Sequence, residues 1–289
     1  MTRTIDVMIA GAQKAGTSTL AAALEVHPQL ASHEALEFTW FVEPTPTESF
    51  EAAYDRVVGA PPRDRVVLAK SAGVMFVPAA RQELARRFPS CRVVVILRHP
   101  VDRAWSAYWY LRRTGREPAA TFEAAIDRGD DPDLDGWAHQ RAYLERSDYP
   151  PQLEALDDLF GDRVHVVLFD DLVHDQAAVV ADTIAAIGLD PSAMPDGVGP
   201  IEANTAAQAR SARVARMLRS PGTLLRTAGK LAPPSVRERV KGSLIAANER
   251  AADIPPMDPA TRQRLLAHFA PSVQAVEQRI GRPLPEWRS

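Results

Sequence analysis

With 289 residues, 46% of them hydrophobic, the chain is long enough to bury the core of one large α/β domain, or of a domain with a helical cap. A net charge of -3 excludes a global nucleic-acid binder, and the single cysteine, Cys91, excludes an intrachain disulfide and fits a reducing compartment. No apolar run of about 18 residues is present to span a membrane, and MTRTIDVMIAGA lacks the apolar core and cleavage site of a leader, so a soluble cytoplasmic protein is expected.

In chain order, Ile5–Ala10 reads as a buried strand and Thr17–Val26 as a helix stopped by His27-Pro28. Arg65–Ala69 is a second strand and Pro78–Phe88 a helix. Arg92–Leu97 (RVVVIL) is the clearest strand and leads into a helix with Pro100 in its first turn. Helical segments are expected at Thr121–Arg128, Leu134–Arg146 and Pro151–Phe160. Val164–Phe169 is a fourth strand, and Gln176–Ile187 a helix ended by Gly188. Proline and glycine clusters from residue 195 to 255 predict an irregular, lid-like helical region. Residues 256–289 predict an amphipathic helix packing back on the domain, with Leu265, Leu266, Phe269, Val273, Val276 and Ile280 on its apolar face and Leu284 and Trp287 beyond. Continuous apolar strands separated by helices predict one α/β domain over 1–289, a three-layer fold with a mostly parallel central sheet flanked by helices. Ligands of such sheets bind at the carboxyl ends of the strands. There the sequence has Gly11–Thr19, Lys70-Ser71, Arg98 and Asp170-Asp171.

The stretch GAQKAGTST, Gly11–Thr19, has the glycine spacing of a P-loop, but Thr17 stands where a nucleoside-triphosphate loop needs lysine. The lysine lies inside the loop, as Lys14. Backbone amides at such a helix start, with the hydroxyls of Thr17, Ser18 and Thr19, favour a phosphate. The alternative is a plain glycine turn capped by Thr17. Lys14 would lie beside a nearer phosphate than the γ-phosphate. Arg98 ends a strand, where a guanidinium can hold a phosphate in a forked, charge-assisted contact. Ser106, eight residues on, can face the same pocket from the following helix. Asp102 and Arg103 are read as braces of the strand-to-helix junction.

Lys14–Leu20 (KAGTSTL) resembles the 5′-phosphosulfate loop of sulfotransferases that use 3′-phosphoadenosine 5′-phosphosulfate (PAPS). Arg98–Tyr108 (RHPVDRAWSAY) resembles the 3′-phosphate segment of the same family, with Arg98 and Ser106 at its arginine and serine. The resemblance is closer to the carbohydrate and bacterial type and implies a P-loop-like fold. It implies that Gly11, Gln13, Lys14, Ala15, Gly16, Thr17, Ser18 and Thr19 bind the donor, together with Arg98, Ser106 and, from the basic repeat Arg210, Arg213, Arg216 and Arg219, Arg210. That repeat also reads as a solvated face, or as a surface for acidic or membrane-borne acceptors.

The implied activity is sulfuryl transfer from PAPS to a hydroxyl on a carbohydrate, glycolipid or small-molecule metabolite, giving adenosine 3′,5′-bisphosphate, with no metal and no nucleic-acid partner. Lys14 would stabilise the leaving phosphate. In HPQLASHEALEFTWF, His27–Phe41, the family's glutamate base precedes a pair of aromatics, which puts Glu37 at the base position ahead of Trp40 and Phe41. Leu36 replaces the family's lysine there, and Glu34 and His33 are rival bases. Of the family's Lys-Ser/Thr-Pro segment only Lys70-Ser71 remains, and Lys70 is a further active-site candidate. The rival functions are a P-loop kinase using magnesium-ATP and a non-catalytic nucleotide-binding module.

Overall fold

Buried apolar runs form the centre of the molecule. The structure is a computed structural model that describes residues 3–32, 37–62, 64–128, 138–195, 207–209, 249–251 and 254–289. Strands β1 (Val7–Gly11), β2 (Leu30–Ser32), β3 (Val66–Lys70), β4 (Arg92–Leu97) and β5 (Val164–Leu168) pair in parallel, in the order β2-β3-β1-β4-β5. Every residue of β1 is buried, and β4 is buried from Val93 to Leu97. Helices on both faces explain why these strands read as unbroken apolar runs.

The helices are α1 (Thr17–Leu24), α2 (Phe50–Val57), α3 (Pro78–Arg87), α4 (Pro100–Arg113), α5 (Phe122–Ile126), α6 (Pro150–Phe160), α7 (Phe169–His174), α8 (Gln176–Ala186) and α9 (Pro259–Ile280). Helix α1 packs against α8, while α9 packs against both α4 and α6. The chain leaves β1 to one side for β2 and β3, then crosses to the other for β4 and β5. Strand order therefore reverses between β1 and β4, and the crevice at their carboxyl ends is the natural ligand site.

Several expectations need correction. Helix α2 was not anticipated, although Phe50, Ala53 and Tyr54 recur at helical spacing and are buried. The helix expected over Leu134–Arg146 is, in the described residues, a short 3-10 turn at Ala138–Arg141 followed by turns. The reason is tertiary. Arg103 and the Ser147 hydroxyl both donate to the Tyr143 carbonyl, at 2.6 and 3.0 Å, and the Ser147 amide turns to Leu144 instead. Phe169 starts α7 rather than ending β5. Within the region expected to be an irregular helical lid, residues 207–209 and 249–251 pair as an antiparallel ribbon.

Helix α9 begins at an Asp258 cap and ends at Gly281, whose φ of 72° suits a residue without a Cβ. Its apolar face buries Leu265, Phe269, Val273 and Val276. Leu266 and Ile280, expected on that face, are only partly buried. The acidic pair after β5 serves this tail. The Trp287 indole donates to Asp170 at 2.9 Å, and Arg282 pairs with Asp171 at 2.7 Å. Trp287 is 2% exposed. Trp287→Ala should cost about 3–5 kcal/mol through the cavity it leaves. Trp287→Phe, which loses the hydrogen bond but keeps most of the ring volume, should cost less, about 1–3 kcal/mol. Denaturant unfolding of the two variants tests that order.

Candidate active site

The phosphate-type loop is formed by the way β1 ends. The Ala10 carbonyl accepts from the Met75 amide at 2.9 Å, and the register of β1 on β4 shifts between Ile9 and Gly11. A Cβ on Gly11 would meet the Met75 Cβ at 2.8 Å, so this close approach selects glycine. Lys14 has φ 70° and Gly16 φ 95°, which turn the chain tightly into α1. Gly16 itself is the N-cap, so the helix is not capped by Thr17. First-turn amides of a helix have no intrahelical acceptor, and the helix dipole adds positive potential there. The hydroxyl of Ser18 accepts from Lys70 Nζ at 2.9 Å, joining the end of β3 to this turn.

Arg98 reaches the same loop from β4. Its guanidinium donates to the Lys14 carbonyl at 3.4 Å and lies 4.9 Å from the centre of the Phe169 ring. The Arg98 carbonyl accepts from the Tyr149 hydroxyl at 2.7 Å. Phe169 also packs on Gly16: a Cβ there would lie 2.8 Å from its ring. Arg98 does not pair with Asp102. Asp102 binds Arg262 of α9 at 2.8 Å. Arg103 is a brace, but of the loop. Fully buried, it donates to the Gln13 carbonyl at 3.4 Å, to the Tyr143 carbonyl at 2.6 Å and to the Ser147 hydroxyl at 2.6 Å. Ser106 is half-buried on α4, on the helix that follows Arg98.

Lys14 Nζ lies 4.5 Å above the Tyr110 ring. Burial lowers its pKa to about 8, helped by repulsion from Arg113 and Arg98 and opposed by attraction to Glu37. Lys70 is buried, and burial lowers its pKa too, again with Glu37 opposing. The exposed Glu37 is thus within electrostatic reach of both lysines. Its neighbour Phe38 donates its amide to the Lys70 carbonyl at 2.8 Å. The aromatic rings of Phe38, Trp40 and Phe41 pack with Phe50 of α2 and anchor this segment. Glu34, His33 and Arg210 lie outside the described residues, as does Leu36.

A model of the sulfotransferase family matches residues 42–193, just over half of the chain. The chain belongs to the sulfotransferase family. It is 27% identical over 200 residues to the bifunctional heparan sulfate N-deacetylase/N-sulfotransferase 1 of Mus musculus, covering 62% of this chain and 21% of that protein. It is 27% identical over 142 residues to the Caenorhabditis briggsae protein of the same name, covering 42% of this chain and 15% of that protein. The chain thus spans about a fifth or less of the length of these curated relatives. Among solved structures, a sulfotransferase from Alicyclobacillus acidocaldarius superposes with a TM-score of 0.68 at 24% identity, over 100% of both chains, a likeness of fold.

In this sulfotransferase the structure adds residues that sequence reasoning missed. Tyr110 and Arg113 lie four and seven positions beyond Ser106, a helical spacing that was readable. Phe169 and Arg146 were not readable, because their partners are remote. Arg146 is buried, donates to the Ala72 carbonyl at 3.1 Å and stacks on Phe76 at 4.8 Å. Among the described residues no cluster of His, Cys, Asp and Glu is suited to hold a metal, and no helix is long and apolar enough to cross a membrane.

Gly16→Ala should destabilise the fold by about 2–3 kcal/mol, since it pays for a left-handed backbone and also displaces Phe169. Gly281→Ala, with φ 72° and open space around it, should cost about 1 kcal/mol. Chemical denaturation compares the two, and equal losses would contradict the packing role of Phe169.

Proposed function

We propose that the chain transfers a sulfuryl group from PAPS to an acceptor hydroxyl. The observation that carries this reading is the meeting of Arg98 with the Lys14 carbonyl at the β1–β4 crevice, with the lysine inside the loop. The residues present fit the donor. The loop has a helix start without a side-chain cap. Gly11, Gln13, Lys14, Ala15 and Gly16, with the hydroxyls of Thr17, Ser18 and Thr19, would hold the 5′-phosphosulfate. Arg98 and Ser106 would hold the 3′-phosphate, with Arg210 assigned there by family resemblance. Thr17, standing where ATP enzymes need lysine, disfavours a kinase.

The donor supplies an activated sulfur on a phosphate leaving group. Glu37 takes the proton of the acceptor hydroxyl as the new oxygen–sulfur bond forms. The bond from sulfur to the bridging oxygen breaks, and its electron pair leaves with the 5′-phosphate. Lys14 offsets that charge, in the role magnesium and the loop lysine fill in ATP enzymes. Lys70, through its contact with Ser18, orients the same turn and adds positive potential. The curated relatives are named heparan sulfate N-deacetylase/N-sulfotransferase, which supports a carbohydrate acceptor ahead of a glycolipid or small metabolite and puts a sugar amine beside the hydroxyl among the acceptors to test. A cytoplasmic setting belongs to the same proposal.

Transfer of label from sulfur-labelled PAPS to a panel of hydroxyl acceptors tests the roles. Lys14→Ala should lower kcat by about 100- to 1,000-fold. Glu37→Gln should keep nucleotide binding and lose about 100- to 10,000-fold in kcat. An active Glu37→Gln enzyme would move the base to Glu34 or His33, and no transfer by the wild type across the panel would favour a binding module.

The lowered pKa of Lys14 also predicts a pH limb. The ammonium is the useful form and is lost as pH rises through about 8, so kcat/KM should fall above that pH. In Lys14→Arg, which stays charged, the limb should be absent up to about pH 10. A limb unchanged in that variant would assign it to another group.

A further inference from the structure

The far half of α4 holds a cation that the donor reading leaves unused. The Tyr110 ring carries Lys14 Nζ at 4.5 Å and the Arg113 guanidinium carbon at 5.4 Å. Arg113 is half-buried and, among the described residues, makes no ion pair or hydrogen bond through its side chain. Other arginines differ. Arg112 donates to the Glu117 carbonyl, Arg116 to Gln140, and Arg279, Arg282 and Arg288 each hold a carboxylate. After burial itself, Arg113 is the largest influence lowering the pKa of Lys14. Two cations over one ring repel each other and are stabilised by an oxyanion that reaches both.

The phosphates of the donor already have partners, the loop with Lys14 and the pair Arg98 and Ser106. We propose that Arg113, seated with Lys14 on the Tyr110 ring, binds an acidic group carried by the acceptor, so that the acceptor is an anion bearing a carboxylate, sulfate or phosphate near its reacting hydroxyl. This rests on the donor reading above. It sets the acceptor's approach along α4. The same oxyanion chemistry could come from the donor, and the experiment separates the two sources.

The test uses wild type, Arg113→Gln and Arg113→Lys. Adenosine 3′,5′-bisphosphate is titrated first, by calorimetry. Its affinity should differ by less than about threefold between wild type and Arg113→Gln, while a loss above about tenfold would give Arg113 to the donor and overturn the proposal. Matched probes are then titrated with and without the bisphosphate: glucose against glucuronate, and 4-methylphenol against 4-hydroxyphenylacetate. The acid of at least one pair should bind wild type about tenfold more tightly than its neutral partner, keep that preference in Arg113→Lys and lose it in Arg113→Gln. No acid preference in either pair, or one that survives in Arg113→Gln, overturns the proposal. A wild type that ignores the bisphosphate but keeps an Arg113-dependent acid preference would instead sink the donor reading alone.

Discussion

The site depends on two arginines that hold the carbonyls of one loop. Arg103 takes the Gln13 carbonyl and Arg98 the Lys14 carbonyl. Across a trans peptide the carbonyl and the next amide point in opposite directions. Fixing the Gln13 carbonyl on Arg103 therefore aims the Lys14 amide away from the buried guanidinium. A loop that binds an anion must keep such amides available while staying rigid, because a flexible nest would lose ordering entropy on binding. The left-handed turns at Lys14 and Gly16 and the ring of Phe169 beneath Arg98 serve the same end.

This rigidity has an electrostatic cost that suits catalysis. Lys14, Lys70, Arg98 and Arg113 converge, with Glu37 the carboxylate in reach of both lysines. Burial, with repulsion from Arg113 and Arg98, lowers the Lys14 pKa to about 8. Positive potential is thus built into the crevice. Preorganised potential of this kind needs no rearrangement during the reaction. The tail contributes from behind: Trp287 on Asp170 and Arg282 on Asp171 fix the turn that carries Phe169.

Much of the fold was legible in the sequence, since continuous β-branched runs such as Arg92–Leu97 have few alternatives in an α/β chain. The loop and Arg98 were legible because each follows a strand at the sheet's switch point. The three-residue β2 is too short to leave a pattern. Residues 143–147 keep to turns because Arg103 and Ser147 claim the Tyr143 carbonyl, a tertiary demand no local propensity reveals. Asp170 and Asp171 stood at the right end of the sheet for ligand binding, yet they hold the tail. Sequence position alone does not separate a ligand-facing acid from a tether, because both end a strand.

On the proposed reading, one crevice holds two phosphates of one nucleotide, the 5′ group by the loop and the 3′ group by Arg98. The most direct measurement is calorimetric titration of adenosine 3′,5′-bisphosphate, adenosine 5′-monophosphate and magnesium-ATP against wild type and Arg98→Ala. Without metal, the bisphosphate should bind wild type about 100-fold more tightly than the monophosphate, and Arg98→Ala should erase most of that advantage. Equal affinity for the two adenosine phosphates, or tightest binding of magnesium-ATP, would contradict the account.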